Sequence, residues 1–434
     1  MNGFDAARAA ISRWFAAALD AVDPAAAVSR ALASGSGRWA APGRGRVLLV
    51  AVGKAADPMA RAAIHHLGES LAAGVVITKD GHLTGPFPPP VVAFEAAHPV
   101  PDERGVAATE RVLDLVRGAG PDDLVLALIS GGGSALLEAP RPPLTLADVA
   151  MTTDLLLRAG APIQHLNAVR TPLSQVKGGG LRAAAPNARF ATLVLSDVLG
   201  NDLRTIASGP TIPATLDGAA ALDLLARYDI AERVPPAVIE VLERIAADPD
   251  REDEAAATRD VTVIVGDNAK AVEAARLAAG RDGLRAATIW AEREGEAGDL
   301  GRAWVDACRA AGSDADVILG GGEATVTVRG DGVGGRNTEF ALAAAISLTD
   351  GGDSDWLVAS LATDGQDGPT DVAGAIADGG TIERARATGI DPERALREND
   401  SLAVFEAAGG IVAPGPTGTN VCDIYIGVRA SAIR

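Results

Sequence analysis

Leu124-Val-Leu-Ala-Leu-Ile-Ser-Gly-Gly-Gly-Ser-Ala-Leu-Leu137 is the stretch from which the rest of the chain is read. Its first part, Leu124–Ile129, is an uninterrupted apolar run, the pattern of a strand buried on both faces of a parallel sheet. Ser130, Gly131, Gly132, Gly133 and Ser134 end the run, and a helical pattern follows. Consecutive glycines let the backbone curl into a concave nest of N–H groups that an anion can approach closely. A helix start behind the nest adds the positive end of its dipole. Such a turn suits a phosphate or a carboxylate, although the same residues also make a plain strand-to-helix turn. Gly131, Gly132, Gly133 and Ser134 are the first candidate ligand-binding residues.

Outward from this stretch, strands and helices alternate. Residues 4–34 read as two helices broken at Pro24. Arg46–Val52 is an apolar strand ending in Gly53-Lys54-Ala-Ala, followed by a helix. Gly74–Thr78 and Val91–Ala96 are further strands. His98-Pro-Val-Pro-Asp102 leads into a helix with Asp102 as its N-cap. On the other side, Phe190–Leu195 is a strand ending in Ser196-Asp197. This alternation predicts an α/β fold with a parallel sheet covered by helices on both faces. Ligands of such sheets sit beyond the carboxyl ends of the strands. Lys54, His98 and the Ser130–Ser134 turn all lie at such ends. Arg170 and Lys177 flank Ser174, just before the Gly178–Gly180 run; they either add to a basic pocket or occupy helix faces.

The segment 246–260 is acidic and lacks apolar periodicity, so we place an inter-domain linker there, giving domains at 1–248 and 260–434. The second region again alternates. Val261–Val265, Ala286–Trp290, Val317–Leu319, Thr325–Val328, Leu357–Leu361 and Ile424–Val428 are its expected strands. A glycine run from Gly330 to Gly335 precedes Arg336 at the start of a helix. A cation there opposes the helix dipole, which an anionic partner would offset. Asp364, Asp367 and Asp371 follow the Leu357–Leu361 strand in one loop.

Composition narrows the partners. The chain has 434 residues, of which 48% are apolar and only 3% aromatic, so the cores are expected to rest on Ala, Val, Leu and Ile. A net charge of −18 argues against nucleic acid or an anionic membrane as a partner. The four lysines are Lys54, Lys79, Lys177 and Lys270, so each deserves scrutiny. Two cysteines, Cys308 and Cys422, give no disulfide framework, and a cytoplasmic protein, monomer or homodimer, is expected. No G-x-x-x-x-G-K-[ST] motif is present, the first strand does not lead into G-x-G-x-x-G, and the histidines and cysteines lack zinc spacing.

Carboxylates at strand ends are the remaining candidates. Asp197, Asp364 and Asp367 could serve Mg²⁺, which takes a few carboxylates together with substrate phosphates. Phosphoryl transfer needs that metal, cations on the transferring group and a carboxylate to orient the attacking hydroxyl. Asp beside Gly and Pro also simply builds turns.

Taken in order, the motifs resemble the type II glycerate kinases, the glycerate 2-kinases whose C-terminal half is the MOFRL domain. The matching strings are VGKAA at 52–56, HPVPD at 98–102, SGGGSALL at 130–137, NAVRTPLSQVKGGGL at 167–181 and SDVLGNDLRTIASGPT at 196–211. GDN at 266–268, GGEATVTVRGDGVGGRNTEFAL at 321–342, ATDGQDGPTDVAGA at 362–375 and GPTGTNVCDIYIG at 415–427 complete them. The resemblance implies an ATP- and Mg²⁺-dependent kinase that converts D-glycerate to 2-phosphoglycerate. It implies a Rossmann-like N-terminal domain, a smaller α/β C-terminal domain with a mixed sheet, and an active site in the cleft between them. It carries active-site roles to Lys54 and Arg336. Asp197 as a catalytic carboxylate, Gly131–Ser134 and Lys177 on the nucleotide, and Asp364 and Asp367 on the metal are physical assignments. The alternatives are a hydroxypyruvate reductase, which needs a nicotinamide cofactor, and a non-catalytic sensor of small hydroxy acids.

Overall fold

The computed structural model describes residues 3–35, 39, 41, 45–247 and 259–433. Its contacts divide the chain into two units. One, here the N-terminal unit, comprises Pro24–Leu195 and Asn201–Val265; the other, the C-terminal unit, comprises Met1–Asp23, Ser196–Gly200 and Gly266–Arg434.

The N-terminal unit is built on six strands: β1 (Val47–Val52), β2 (Leu71–Lys79), β3 (Val91–Ala96), β4 (Leu124–Ile129), β5 (Arg189–Leu195) and β6 (Val261–Gly266), the last running to the unit's edge. Their order across the sheet is β3-β2-β1-β4-β5-β6. The pairs β1–β2, β2–β3, β1–β4 and β4–β5 are parallel. This is the strand order of doubly wound Rossmann folds, whose ligand crevice opens where the order reverses, between β1 and β4. Every residue of β1 and β4 is buried, which is why both read as unbroken apolar runs. The helix Glu103–Arg117 starts on Asp102, whose carboxylate accepts from Gly105 N at 3.0 Å, as expected. Four further helices, at Leu146–Arg158, Ile163–Arg170, Gly218–Arg227 and Pro236–Ala247, close on a core of their own that includes Leu156, Val169, Leu225, Val238 and Leu242.

The C-terminal unit holds β7 (Ala286–Glu296), β8 (Val317–Thr325), β9 (Trp356–Ala362), β10 (Gly374–Asp378), β11 (Ile411–Val412) and β12 (Asp423–Arg429), in the order β11-β10-β9-β12-β8-β7. The pair β7–β8 is parallel and the others are antiparallel, so the sheet is mixed. Aromatic residues are scarce in the chain but concentrate here: Trp290, Trp304, Phe340 and Tyr425 meet, with Phe340 and Tyr425 stacked at 4.7 Å. The helix Arg336–Asp350 is buried nearly all round, so its small residues pack on the sheet and on neighbouring helices.

Two expectations change. The strand expected at Thr325–Val328 is absent, and β8 instead runs continuously from Val317 through the glycines to Thr325. Asp423–Val428 pairs with Val317–Gly322, so pairing overrides the poor strand propensity of Gly320–Gly322. The helix Gly3–Ala21 belongs to the C-terminal unit rather than to a first domain of residues 1–248. Its apolar face, Ala7, Ala10, Ile11, Trp14 and Ala18, is buried, Trp14 Nε1 donates to Asp282 at 3.0 Å and Arg8 pairs with Asp378 at 2.8 Å. Most of the expected linker, residues 248–258, lies outside the described residues.

Candidate functional site

The sequence-predicted residues divide between the two units.

In the N-terminal unit, β1 and β4 run in register, Val52 opposite Ile129, so the residues that follow emerge side by side. Lys54 N donates to Gly131 O at 2.8 Å, and Ala55 N donates to Ser130 Oγ at 3.1 Å. Gly132 has a φ of 81°, and a Cβ there would lie 3.0 Å from His98 Cδ2 and 3.2 Å from Lys54 Cγ. This close approach requires glycine. Gly133 N closes the turn onto Ser130 O at 3.3 Å, which leaves the amides of Gly131, Gly132 and Ser134 without a partner among the described residues. Gly133 therefore serves by its size, since a Cβ would meet Ala207 Cβ at 2.6 Å, rather than by its amide.

The loop Ile206–Thr211 braces this turn. Ser208 Oγ lies 2.8 Å from Ser134 Oγ, and both Ala207 and Ser208 adopt left-handed φ, 51° and 61°. Two adjacent non-glycine residues in that region store strain that the surrounding packing must hold. The cations gather at the same edge. His82 Nδ1 contacts Lys54 O at 2.9 Å, and His98 is pushed down to about 4 by burial and by Lys54, Lys79 and His82. Lys54 thus stands beside the glycine turn, and the charges of both Lys54 and Lys79 are felt at His98.

Lys177 is close but has a different job from the one expected. It is 2% exposed, donates to Ser134 O at 2.7 Å and pairs with Glu138 at 2.9 Å. Burial lowers its pKa and Glu138 opposes that shift. Its ammonium is spent beneath the turn, so it supports the loop rather than presenting a charge to a nucleotide. Arg170 lies 3.9 Å from the same Glu138 carboxylate.

In the C-terminal unit, Arg336 opens its helix and turns its Nε and Nη2 onto Asp423, at 2.7 and 2.9 Å. Asp423 is fully buried and also accepts from Asn337 Nδ2 at 3.0 Å and Ala324 N at 3.3 Å. Glu323 stands 3.7 Å from Arg336 Nη1, and burial raises its pKa against the pull of Arg336. Burial would lower the guanidinium pKa, but Asp423 and Glu323 more than offset this and raise it. Arg336 and Glu323 line a groove of about 860 Å³ with Gly332, Gly334, Gly335 and Val328.

The three aspartates expected near a metal part ways. Asp197 follows β5 and its carbonyl accepts from Cys422 Sγ at 3.1 Å; its charge is felt at Glu323. Asp364 is half-buried, with its charge felt at Arg336. Asp367 is fully buried, and its oxygens accept from Asn337 N and Thr338 N at 2.8 Å each and from Thr338 Oγ1 at 2.8 Å. That is a helix-capping carboxylate whose lone pairs are used by the protein, so the expected metal role is not one its geometry serves. Sequence reasoning missed Asp423, Glu323 and Asn337. All three lie inside the matching strings at 321–342 and 415–427, but no spacing links Asp423 to a partner 87 residues away.

The parallel sheet of the N-terminal unit and the mixed sheet of the C-terminal unit define the class, a two-domain α/β protein. The chain matches the DUF4147 model, a domain of unknown function, over residues 10–243, and the MOFRL family model over residues 316–423. A protein named D-glycerate 2-kinase from Thermotoga maritima is 40% identical over 88% of this chain and 90% of its own. A glycerate 2-kinase from Pyrococcus horikoshii is 38% identical over 95% of each chain. A crystal structure of a glycerate kinase from Thermotoga maritima superposes with a TM-score of 0.88, at 38% identity, over 98% of this chain and 99% of that one. A protein of Agrobacterium vitis with the provisional name hydroxypyruvate reductase is also 40% identical, over 96% of this chain and 93% of its own. The protein is a kinase, and the chain belongs to the glycerate kinase family that joins a DUF4147 region to a MOFRL region. Among the described residues no helix is long and apolar enough to cross a membrane.

Proposed function

We propose that the chain transfers the terminal phosphoryl group of ATP to the 2-hydroxyl of D-glycerate, giving ADP and 2-phosphoglycerate. One observation carries the reading: the in-register ends of β1 and β4 put Lys54 against the glycine turn at the point where the strand order reverses. That arrangement suits a phosphate chain, with backbone amides for its oxygens and an ammonium for its charge. The names of the Thermotoga and Pyrococcus relatives supply the acceptor.

The chemistry asked of the chain is modest. The hydroxyl oxygen forms the new bond to phosphorus, the bond to the ADP oxygen breaks, and the hydroxyl proton passes to a carboxylate, for which we assign Asp197. Cations matched to the transferring group stabilise the transition state more than the bound substrates. We assign Lys54 to that charge. Arg336, with its planar fork, suits the phosphoryl group or the glycerate carboxylate.

Mg²⁺ fits as a passenger of the nucleotide. Among the described residues no group of three or more His, Cys, Asp or Glu side chains could hold a metal. Mg²⁺ bound to phosphates asks for only one or two carboxylates, and Asp364 is the one we assign. When bound, the ion neutralises phosphate charge. Two unpaired, buried cysteines fit a cytoplasmic enzyme.

The reductase name carried by the Agrobacterium relative gives the second reading. It asks for a dinucleotide at the same edge, where β1 ends in Gly53-Lys-Ala-Ala rather than G-x-G-x-x-G. Parallel assays separate the two. With ATP, Mg²⁺ and D-glycerate the kinase releases ADP; with NADH or NADPH and hydroxypyruvate it oxidises neither. Nicotinamide oxidation without ADP release would replace this proposal with the reductase.

A further inference from the structure

Arg336 has two edges that can grip an anion, side-on through Nε and Nη2, and end-on through Nη1 and Nη2. Asp423 occupies the side-on edge, at 2.7 and 2.9 Å. The end-on edge carries Nη1, which lies towards Glu323 at 3.7 Å, and Arg336 lines the 860 Å³ groove. We propose that Asp423 is the positioning residue of the transfer site: it fixes the Arg336 fork side-on so that its end-on edge meets a substrate oxyanion.

The surroundings of Asp423 argue that it is a mount and not a substrate contact. It is fully buried at the start of β12, where the backbone pairs with both β8 and β9. Its second oxygen shell is complete: Asn337 Nδ2 donates to Oδ1 at 3.0 Å, and Ala324 N donates to Oδ2 at 3.3 Å. Asn337 is itself fixed, since its Oδ1 accepts from Ser360 Oγ at 2.6 Å and its N donates to Asp367 at 2.8 Å. Each donor of the mount therefore rests on a sheet strand or on the first turn of the helix Arg336–Asp350. A guanidinium on a free arginine side chain samples many rotamers, and holding it beforehand removes that cost from the transition state. Glu323 faces the Nη1 end of the fork, so an arriving anion exchanges a 3.7 Å carboxylate contact for its own.

The inference rests on the proposed role of Arg336 in the transfer, and a double-mutant cycle tests the two separately. Arg336→Ala, Asp423→Asn and the double variant are compared for kcat, for KM of each substrate and for thermal midpoint. Asp423→Asn is expected to lower kcat roughly 10-fold or more while KM for ATP moves less, and the double variant is expected to be no slower than Arg336→Ala alone. Asp423→Glu keeps the charge but displaces the fork by one methylene; it is expected to lower kcat as well, and it replaces Asp423→Asn in the cycle should that variant not fold. If the losses multiply, or if Asp423→Asn shifts only the thermal midpoint, Asp423 is structural and the inference fails while the kinase reading stands. If Arg336→Ala turns over at the wild-type rate, the role of Arg336 falls and takes the inference with it.

Discussion

Lys177 Nζ lies 2.7 Å from the carbonyl oxygen of Ser134 and 2.9 Å from the carboxylate of Glu138. The first contact is a hydrogen bond; the second is close but poorly aligned as one, so it acts as an ion pair. A charge so enclosed cannot also reach out to a phosphate. What it does is hold the glycine turn through the carbonyl of Ser134. Removing the ammonium would leave the buried Glu138 carboxylate facing Arg170 at 3.9 Å, and breaking a buried pair from one side costs about 3–5 kcal/mol.

We therefore predict that Lys177→Met lowers unfolding stability by about 3–5 kcal/mol, read as a drop in the urea midpoint, and that Glu138→Gln in the same chain recovers part of the loss. An unchanged midpoint combined with a raised KM for ATP would return Lys177 to the nucleotide.

Gly132 is expected to tolerate no side chain. Its φ of 81° and the 3.0 Å gap to His98 leave strain and collision together. Gly132→Val should cost about 1–3 kcal/mol in backbone strain and raise KM for at least one substrate. Gly160→Ala is the control, because its φ of 74° is similar but open space surrounds it. It should show the strain and keep the KM values. Unaltered binding of both substrates by Gly132→Val would remove the nest from the site.

Lys54→Ala is expected to lower kcat/KM by roughly 100-fold, about 2.7 kcal/mol of transition-state stabilisation. Arg336→Lys should fail to restore full turnover, because an ammonium has no fork to share between Asp423 and an oxyanion. Steady-state kinetics on folded variants decides both. Near wild-type turnover by Lys54→Ala would mean that the transferring group sits elsewhere.

His98 makes a prediction about pH. Burial first, then Lys54, Lys79 and His82, depress its pKa to about 4. A depressed histidine is neutral in the folded chain while the unfolded chain takes up a proton. Its stabilising share is thus whole above about pH 6.5, the ordinary histidine value, and drains away as pH falls towards about 4. NMR titration of the imidazole should find no protonation of His98 above pH 5 in the ligand-free protein. A midpoint near 6.5, the ordinary histidine value, would show that neither burial nor the neighbouring cations depress it.

How far the sequence could be read follows from the range of each interaction. The Leu124–Ser134 stretch announced itself because a strand buried on both faces must be apolar throughout and a close backbone turn must be glycine. Lys54 was legible for the same local reason, as the residue just past such a strand. Lys177 could be picked out as rare but not placed, because nothing in its neighbours says that its side chain turns inward to Glu138. Asp367 looked like a ligand because capping and metal binding use the same residue in the same kind of loop; only its donors, Asn337 N and Thr338 N, tell them apart. Asp423, at the start of β12, and Arg336, at the start of a helix, meet across 87 residues, which no local pattern encodes. The short strands Gly374–Asp378 and Ile411–Val412 escaped because Gly374-Ala-Ile-Ala-Asp378 is sheet only by virtue of pairing with β9. The helix Gly3–Ala21 was visible as a helix, but its unit was set by where its apolar face found cover.

The position of the phosphate on the product bears most directly on the whole account. Phosphorus NMR of the product from ATP, Mg²⁺ and D-glycerate should show 2-phosphoglycerate, and enolase should consume it without phosphoglycerate mutase. A product that is only 3-phosphoglycerate, inert to enolase until the mutase is added, would contradict the assignment of the 2-hydroxyl as the acceptor.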